Sequence, residues 1–196
     1  MKRTLLALLL VVNYGLLAMG YAQERAVDMK KVVMIIPSTE FRDEELIETK
    51  NILERNGIEV KVASTTINQI EGMLGAKARP DILLTDIKIG DFSAIIFVGG
   101  SGAIQYYDDP LAHKLAQEAL TQNKIVAAIC IAPVTLARAG ILKGRRATVF
   151  SSEAGELKSK GANYTARAVE KDGNIITASG PTAVAEFAQE LVKALK

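Results

Sequence analysis

Three uninterrupted apolar runs of strand length punctuate this chain: Val-Val-Met-Ile-Ile at 32–36, Ala-Ile-Ile-Phe-Val at 94–98 and Ile-Val-Ala-Ala-Ile at 125–129. A strand with one wet face alternates apolar and polar residues, whereas a continuous run belongs to a strand covered on both faces. Helical spacing fills the intervals. Over residues 43–56, Leu46, Ile47, Ile52 and Leu53 mark one face, and Gly57 is placed as the C-terminal stop. Over residues 109–122, Leu111, Ala112, Leu115, Ala116, Ala119 and Leu120 point inward. Buried strands that alternate with helices imply a mostly parallel sheet covered on both sides, because a parallel crossover needs a connection of helix length. The fold class is α/β.

The remaining elements follow the same logic. Residues 58–63 alternate as a second strand, and Ile82 to Leu84 form a short strand between turns in the otherwise featureless stretch 65–91. Residues 132–139 read as a helix stopped by Gly140, and residues 182–195 as a closing amphipathic helix. Segments 167–170 and 174–178 flank Asp172-Gly173, a hairpin turn signal. No internal repeat and no second domain is evident, so residues 32–196 are expected to form one domain.

The first 22 residues have another character. Lys2 and Arg3 precede an uncharged apolar stretch from Thr4 to Ala22, and Gly20-Tyr21-Ala22 places small residues at −3 and −1 of a cleavage site before Gln23. That is the three-part pattern of a secretory signal; an uncleaved membrane anchor is the alternative. Residues 23–31 read as a linker. The expected location is secreted or periplasmic, with membrane attachment only if the leader stays uncut.

Charge and cysteine usage exclude several classes. Removing Lys2 and Arg3 from the 24 basic residues leaves 22, against 22 acidic ones, with no basic run, so nucleic acid is not an expected partner. Cys130 is the only cysteine and His113 the only histidine, which rules out a disulfide scaffold and gives no basis for a transition-metal site.

Cys130 lies at the end of one buried strand and the start of a helix. Ligands of open α/β sheets gather at such strand ends. A strand-to-helix turn can lift a nucleophile above the sheet and aim the following N–H groups at an oxyanion; an inert buried thiol is the plainer reading. Gly99-Gly100-Ser101-Gly102 ends another strand. It either brings backbone donors close to a substrate or simply makes a tight turn, and it lacks the Gly-Lys-Ser/Thr of a phosphate loop. Glu45, in Phe41-Arg-Asp-Glu-Glu45, sits in the first turn after strand one, where an acidic residue also suits the helix dipole. His113 shares a polar helix face with Lys114 and Gln117.

With these elements in order, the chain from Lys31 to Lys196 resembles the ThiJ/PfpI family. The anchors are Glu45 in Phe-Arg-Asp-Glu-Glu-Leu, Val98-Gly-Gly-Ser, Ala-Ala-Ile-Cys-Ile-Ala-Pro around Cys130, and the segment from Val169 to Pro181. The resemblance implies a flavodoxin-like three-layer sandwich, usually a homodimer. It implies that Cys130 is an elbow nucleophile and Glu45 the acid hydrogen-bonded to it, with Gly99, Gly100 and Ile131 forming the oxyanion pocket. One departure matters: peptidase-like members carry His directly after the cysteine, where this chain has Ile131. Other members supply a His from the next strand, and residues 147–152 contain none. A cysteine peptidase is therefore the weakest of the family's functions here.

What remains is chemistry that a thiolate, one carboxyl and an oxyanion pocket can perform. One expectation is a stress-protection enzyme of glyoxalase or deglycase type, acting on small carbonyl compounds or glycated protein side chains without metal or cofactor. The other is an oxidation sensor or holdase chaperone in which Glu45 stabilises a Cys130 sulfinate. Both call for a thiol of lowered pKa.

Overall fold

A computed structural model of the chain describes residues 30–196. The leader read at 1–22 lies outside the described residues, as does most of the linker read at 23–31. Lys31 already belongs to the first strand.

The central sheet contains seven strands: β1 (Lys31–Ile35), β2 (Glu59–Ser64), β5 (Ile82–Leu83), β6 (Ala94–Phe97), β7 (Ile125–Ile129), β10 (Val169–Asp172) and β11 (Ile175–Ala178). Their order is β10-β11-β7-β6-β1-β2-β5, and every pairing is parallel except β10 with β11. The three continuous apolar runs are β1, β6 and β7, side by side at the middle, where both faces are covered.

Alternate residues of β1 serve opposite cores. Val32 and Met34 pack with Leu46 and Leu53 of helix α1 (Asp43–Arg55) and with Phe187 and Leu191 of α5 (Val184–Leu195). Val33 and Ile35 turn to the other face, with Leu115 and Ala119 of α2 (Pro110–Thr121), Leu136 of α3 (Pro133–Arg138) and Leu157 of α4 (Ala154–Ser159). The result is the expected three-layer α/β sandwich. Each fully buried Val, Ile, Leu or Phe contributes about 1.5–3 kcal/mol of transfer free energy, so the two cores dominate the stabilisation.

Differences from the sequence reading cluster where elements are short. Within residues 65–91 the chain forms a hairpin, β3 (Ile70–Glu71) with β4 (Lys77–Ala78), that no periodicity announces because each strand has two residues. A tertiary contact holds it: the buried Asp43 carboxylate of α1 accepts the N–H groups of Leu74 and Ala76 at 2.9 and 2.7 Å. A second small pair, β8 (Arg146–Ala147) with β9 (Asn163–Tyr164), and α4 also lacked a signal. Asp172 pairs with Ile175, so the hairpin loop is Gly173–Asn174, one residue later than Asp172–Gly173. The last helix starts at Val184 after a 3-10 turn over Pro181–Ala183, and the helix read at 132–139 is trimmed to Pro133–Arg138.

Candidate active site

The chain moves outward from β1 to β2 in one direction and then returns to place β6 on the other side of β1. Such a reversal opens a crevice at the carboxyl ends of the strands. Three connections converge there: α1 after β1 carries Glu45, the turn after β6 carries Gly99 and Gly100, and the turn after β7 carries Cys130 and Ile131.

Cys130 adopts φ +63°, a left-handed conformation that is costly for a residue with a Cβ. Both of its backbone groups are tied down: its N–H donates to Ala178 O at 3.0 Å, and its C=O accepts from Phe150 N at 2.9 Å. The end of β11 at Ala178 and the loop at Phe150 thus hold the turn that carries the side chain. The residue is 8 % exposed.

Glu45 is fully buried. Its Oε2 accepts the Gly99 N–H at 3.0 Å. Oε1 is buried and makes no well-formed hydrogen bond, and the Cys130 thiol is the side-chain donor that acts on this carboxyl. Gly99 allows the approach. A Cβ there would stand 2.5 Å from Cys130 Cβ and 2.6 Å from Glu45 Oε2, so a side chain at 99 would occupy the space in which carboxyl and thiol meet. Gly100 has φ +104°, and any Cβ on it would collide with the Glu40 and Arg42 backbone.

Burial pushes the Glu45 carboxyl up to about 7, against the opposing pull of the thiol, the Gly99 N–H and the Arg42 guanidinium. Burial likewise pushes the Cys130 thiol up to about 12, and ionised Glu45 adds to the rise. The N–H groups of Gly100 and Ile131 act in the opposite sense, favouring negative charge on sulfur. The expected low thiol pKa is therefore corrected in sign. A short elbow helix and two N–H donors do not outweigh an apolar setting with a carboxylate beside the sulfur.

Above Cys130 opens a cavity of about 240 Å³. Met73, Ile131, Phe150 and Pro181 give it apolar walls, Ser101 and Ser152 complete the lining, and Arg42 is its one charged residue. Of the residues singled out from sequence, Cys130, Glu45, Gly99, Gly100 and Ile131 come together. His113 stands apart, its Nε2 2.8 Å from Tyr107 O. Arg42, Met73 and Phe150 were not singled out. Arg42 lies inside the Phe-Arg-Asp-Glu-Glu motif, a signal that was available; Met73 reaches the cavity on a hairpin held by the Asp43 carboxylate and by backbone bonds to Glu40 and Phe41. Among the described residues no group of three or more His, Cys, Asp or Glu side chains could hold a metal ion.

Comparison with known proteins bears on the family and the fold. Residues 30–194 match the model of the DJ-1/PfpI family. An uncharacterized protein of Methanocaldococcus jannaschii is 40% identical over 201 residues, covering 100% of this chain and 98% of the relative. Deglycase PfpI of Pyrococcus furiosus is 30% identical over 164 residues, 84% of this chain and 99% of its own length. A glutathione-independent glyoxalase of Caenorhabditis elegans is 28% identical over 167 residues, 85% of this chain and 89% of the relative. The crystal structure of a ThiJ/PfpI domain protein from Brachyspira murdochii superposes with a TM-score of 0.83 at 35% identity, covering 85% of this chain and 96% of that one. With matched sequence over the whole described domain and the same fold, the chain belongs to the DJ-1/PfpI family, which has members named as deglycases and glyoxalases.

Proposed function

We propose that the protein is a cysteine-dependent enzyme acting on reactive carbonyl compounds, small 2-oxoaldehydes or the adducts they form on protein side chains. One observation carries this: a buried carboxyl with a pKa of about 7, Glu45, acts on the sulfur of Cys130 beneath an open cavity. A general acid–base works best with its pKa near the operating pH. The family's deglycase and glyoxalase members support the same chemistry.

With methylglyoxal, Glu45 as carboxylate takes the thiol proton while sulfur bonds to the aldehyde carbon. The C=O electron pair moves to oxygen, which the Gly100 and Ile131 N–H groups stabilise, and the Glu45 proton completes a hemithioacetal. Glu45 then removes the proton from the former aldehyde carbon to give an enediol, the hemithioacetal hydroxyl proton passes to the former ketone oxygen, and Glu45 returns its proton to the neighbouring carbon, so that the ketone has become an alcohol and the hemithioacetal a thioester. Water attacks the thioester, Glu45 accepts its proton, and the Cys130 thiolate leaves and is reprotonated. The sum is methylglyoxal plus water giving lactate, with no net oxidation. Because the thiol's pKa is high, proton removal and C–S bond formation are coupled, with no standing pool of thiolate.

Lactate formation by the wild type and by Cys130→Ser, in buffer without added thiol, tests the proposal. Cys130-dependent turnover is the expected result; equal rates would sink the nucleophile assignment. A non-catalytic oxidation sensor or holdase is the second reading. It draws on the same raised Glu45 pKa, since a protonated Glu45 can donate to an oxidised Cys130. Peroxide titration with mass spectrometry of Cys130 distinguishes it, a stable sulfinate without turnover being its signature. Peptidase activity has least support, because no histidine lines the cavity. A homodimer and a secreted or periplasmic location remain part of the proposal. Sedimentation checks the first, and sequencing the exported protein for a start at Gln23 checks the second.

A further inference from the structure

Arg42 is the one charged residue lining the Cys130 cavity. Its guanidinium is held from one side: Nε donates to Glu44 Oε2 at 2.8 Å and Nη2 to Glu44 Oε1 at 3.0 Å. A guanidinium has five N–H donors and can receive a carboxylate on either of two kinds of edge, the lateral Nε/Nη edge or the terminal Nη1/Nη2 edge. Glu44 occupies the lateral edge. None of the hydrogen bonds or ion pairs among the described residues engages Nη1, so the terminal edge is unclaimed while the lateral pair keeps the group from wandering. Glu44 itself is not part of the cavity lining. The charge reaches the chemistry too, since Arg42 interacts electrostatically with both Glu45 and Cys130.

An apolar cavity with a single preorganised cation beside the nucleophile has the make-up of a site for a small anionic molecule, apolar in the middle and charged at one end. We propose that Arg42 determines specificity for carbonyl substrates bearing a carboxylate, the terminal guanidinium edge receiving that carboxylate while the aldehyde lies against Cys130. Resting on the carbonyl chemistry above, this selects the substrate class: a 2-oxoaldehyde with an acidic tail, of which 4,5-dioxopentanoate is the simplest practical probe. The balance is that of methylglyoxal, with the tail a spectator: the 2-oxoaldehyde plus water gives 2-hydroxyglutarate. A neutral dicarbonyl would leave the guanidinium edge to water.

Two measurements on the full chain test the proposal, and the first needs no turnover. Iodoacetate and iodoacetamide alkylate a thiolate by the same displacement of iodide and differ in charge. Cys130 is the only cysteine, so all alkylation reports on it. The ratio of the two rates cancels any change in thiol ionisation, which a merely structural role for Arg42 would alter. The expected wild-type ratio favours iodoacetate by at least tenfold over the ratio for a free cysteine peptide, and it falls with added salt. Arg42→Gln should remove that preference and Arg42→Lys, which keeps the charge without the fork, should retain part of it. Equal ratios for wild type and free peptide overturn the proposal without any variant having to fold.

The second measurement compares kcat/KM for 4,5-dioxopentanoate and methylglyoxal. A preference for the anion of at least tenfold, lost in Arg42→Gln mainly through KM, is expected. Turnover of methylglyoxal with no anion preference in either assay defeats the Arg42 assignment and leaves the carbonyl chemistry standing. An iodoacetate preference that depends on Arg42, with neither dicarbonyl converted, defeats the carbonyl chemistry and leaves the anion subsite standing.

Discussion

The Gly99 N–H holds Glu45 Oε2 at 3.0 Å, and the missing side chain of Gly99 is what allows that carboxyl to lie against Cys130. One residue thus orients the acid–base group and makes room for it. Oε2 is the fixed oxygen, and Oε1 is the one free to exchange a proton with sulfur or substrate.

Gly99→Ala is expected to damage both roles. The new methyl would meet Cys130 Cβ and Glu45 Oε2 at 2.5 and 2.6 Å, distances that force one of them aside. Overpacking of this kind costs about 1–3 kcal/mol. Denaturant unfolding should register that loss, while carbonyl turnover falls much further than stability does.

Glu45→Gln separates reactivity from turnover. Glutamine can still accept the Gly99 N–H but cannot exchange protons. Because ionised Glu45 raises the Cys130 pKa, removing its charge should lower the midpoint of the alkylation-against-pH curve, making the thiol more available. Turnover should nonetheless drop by roughly 100-fold or more, the range for loss of a general acid–base. A thiol pKa that rises in the variant would contradict the electrostatics of the pair.

Glu45 also shapes stability against pH. The folded protein keeps the Glu45 proton up to about 7, whereas an unperturbed carboxyl releases it near 4.5. Between these values the folded state binds more protons than the unfolded chain, so this group's contribution is present at the acidic end and lost as pH rises toward 7. Cys130 acts in the same direction at higher pH, where the unfolded thiol ionises at about 9 and the folded one at about 12. Melting temperatures across pH 4.5–7 should therefore include a decline that Glu45→Gln flattens; identical slopes in both proteins would show that Glu45 titrates normally.

The elbow stores backbone strain. At φ +63° alanine is disfavoured and glycine is not, with a difference on the order of 1 kcal/mol. Cys130→Gly is expected to be at least as stable as Cys130→Ala, reversing the order seen at most buried sites. Chemical denaturation of the two inactive variants checks this directly, and a clearly more stable alanine variant would mean that the turn is relaxed.

Much of this architecture can be read along the chain because it is local and repetitive. The runs ending at Ile36, Val98 and Ile129 identify buried parallel strands, and the spacing of Leu46 and Leu53 or of Leu115 and Ala119 identifies the helices between them. A strand that must be covered on both faces has no other way to satisfy its side chains. The positions of Cys130, Glu45 and the glycine pair at strand ends were legible for the same reason: chain order places such ends on one side of a parallel sheet.

Tertiary structure alone decided the rest. Two-residue strands such as Ile70–Glu71 have no period to detect, and their hairpin is anchored by Asp43 and by the backbone of Glu40 and Phe41, far away in sequence. The placement of Met73, Arg42 and Phe150 around one cavity depends on how three loops meet. The sign of the Cys130 pKa shift was likewise out of reach: a helix start argues for an acidic thiol, but the free energy is set by how deeply the sulfur is buried and by the carboxylate set against it. Periodicity records which residues avoid water; it does not record the distances between charges that the finished fold brings together.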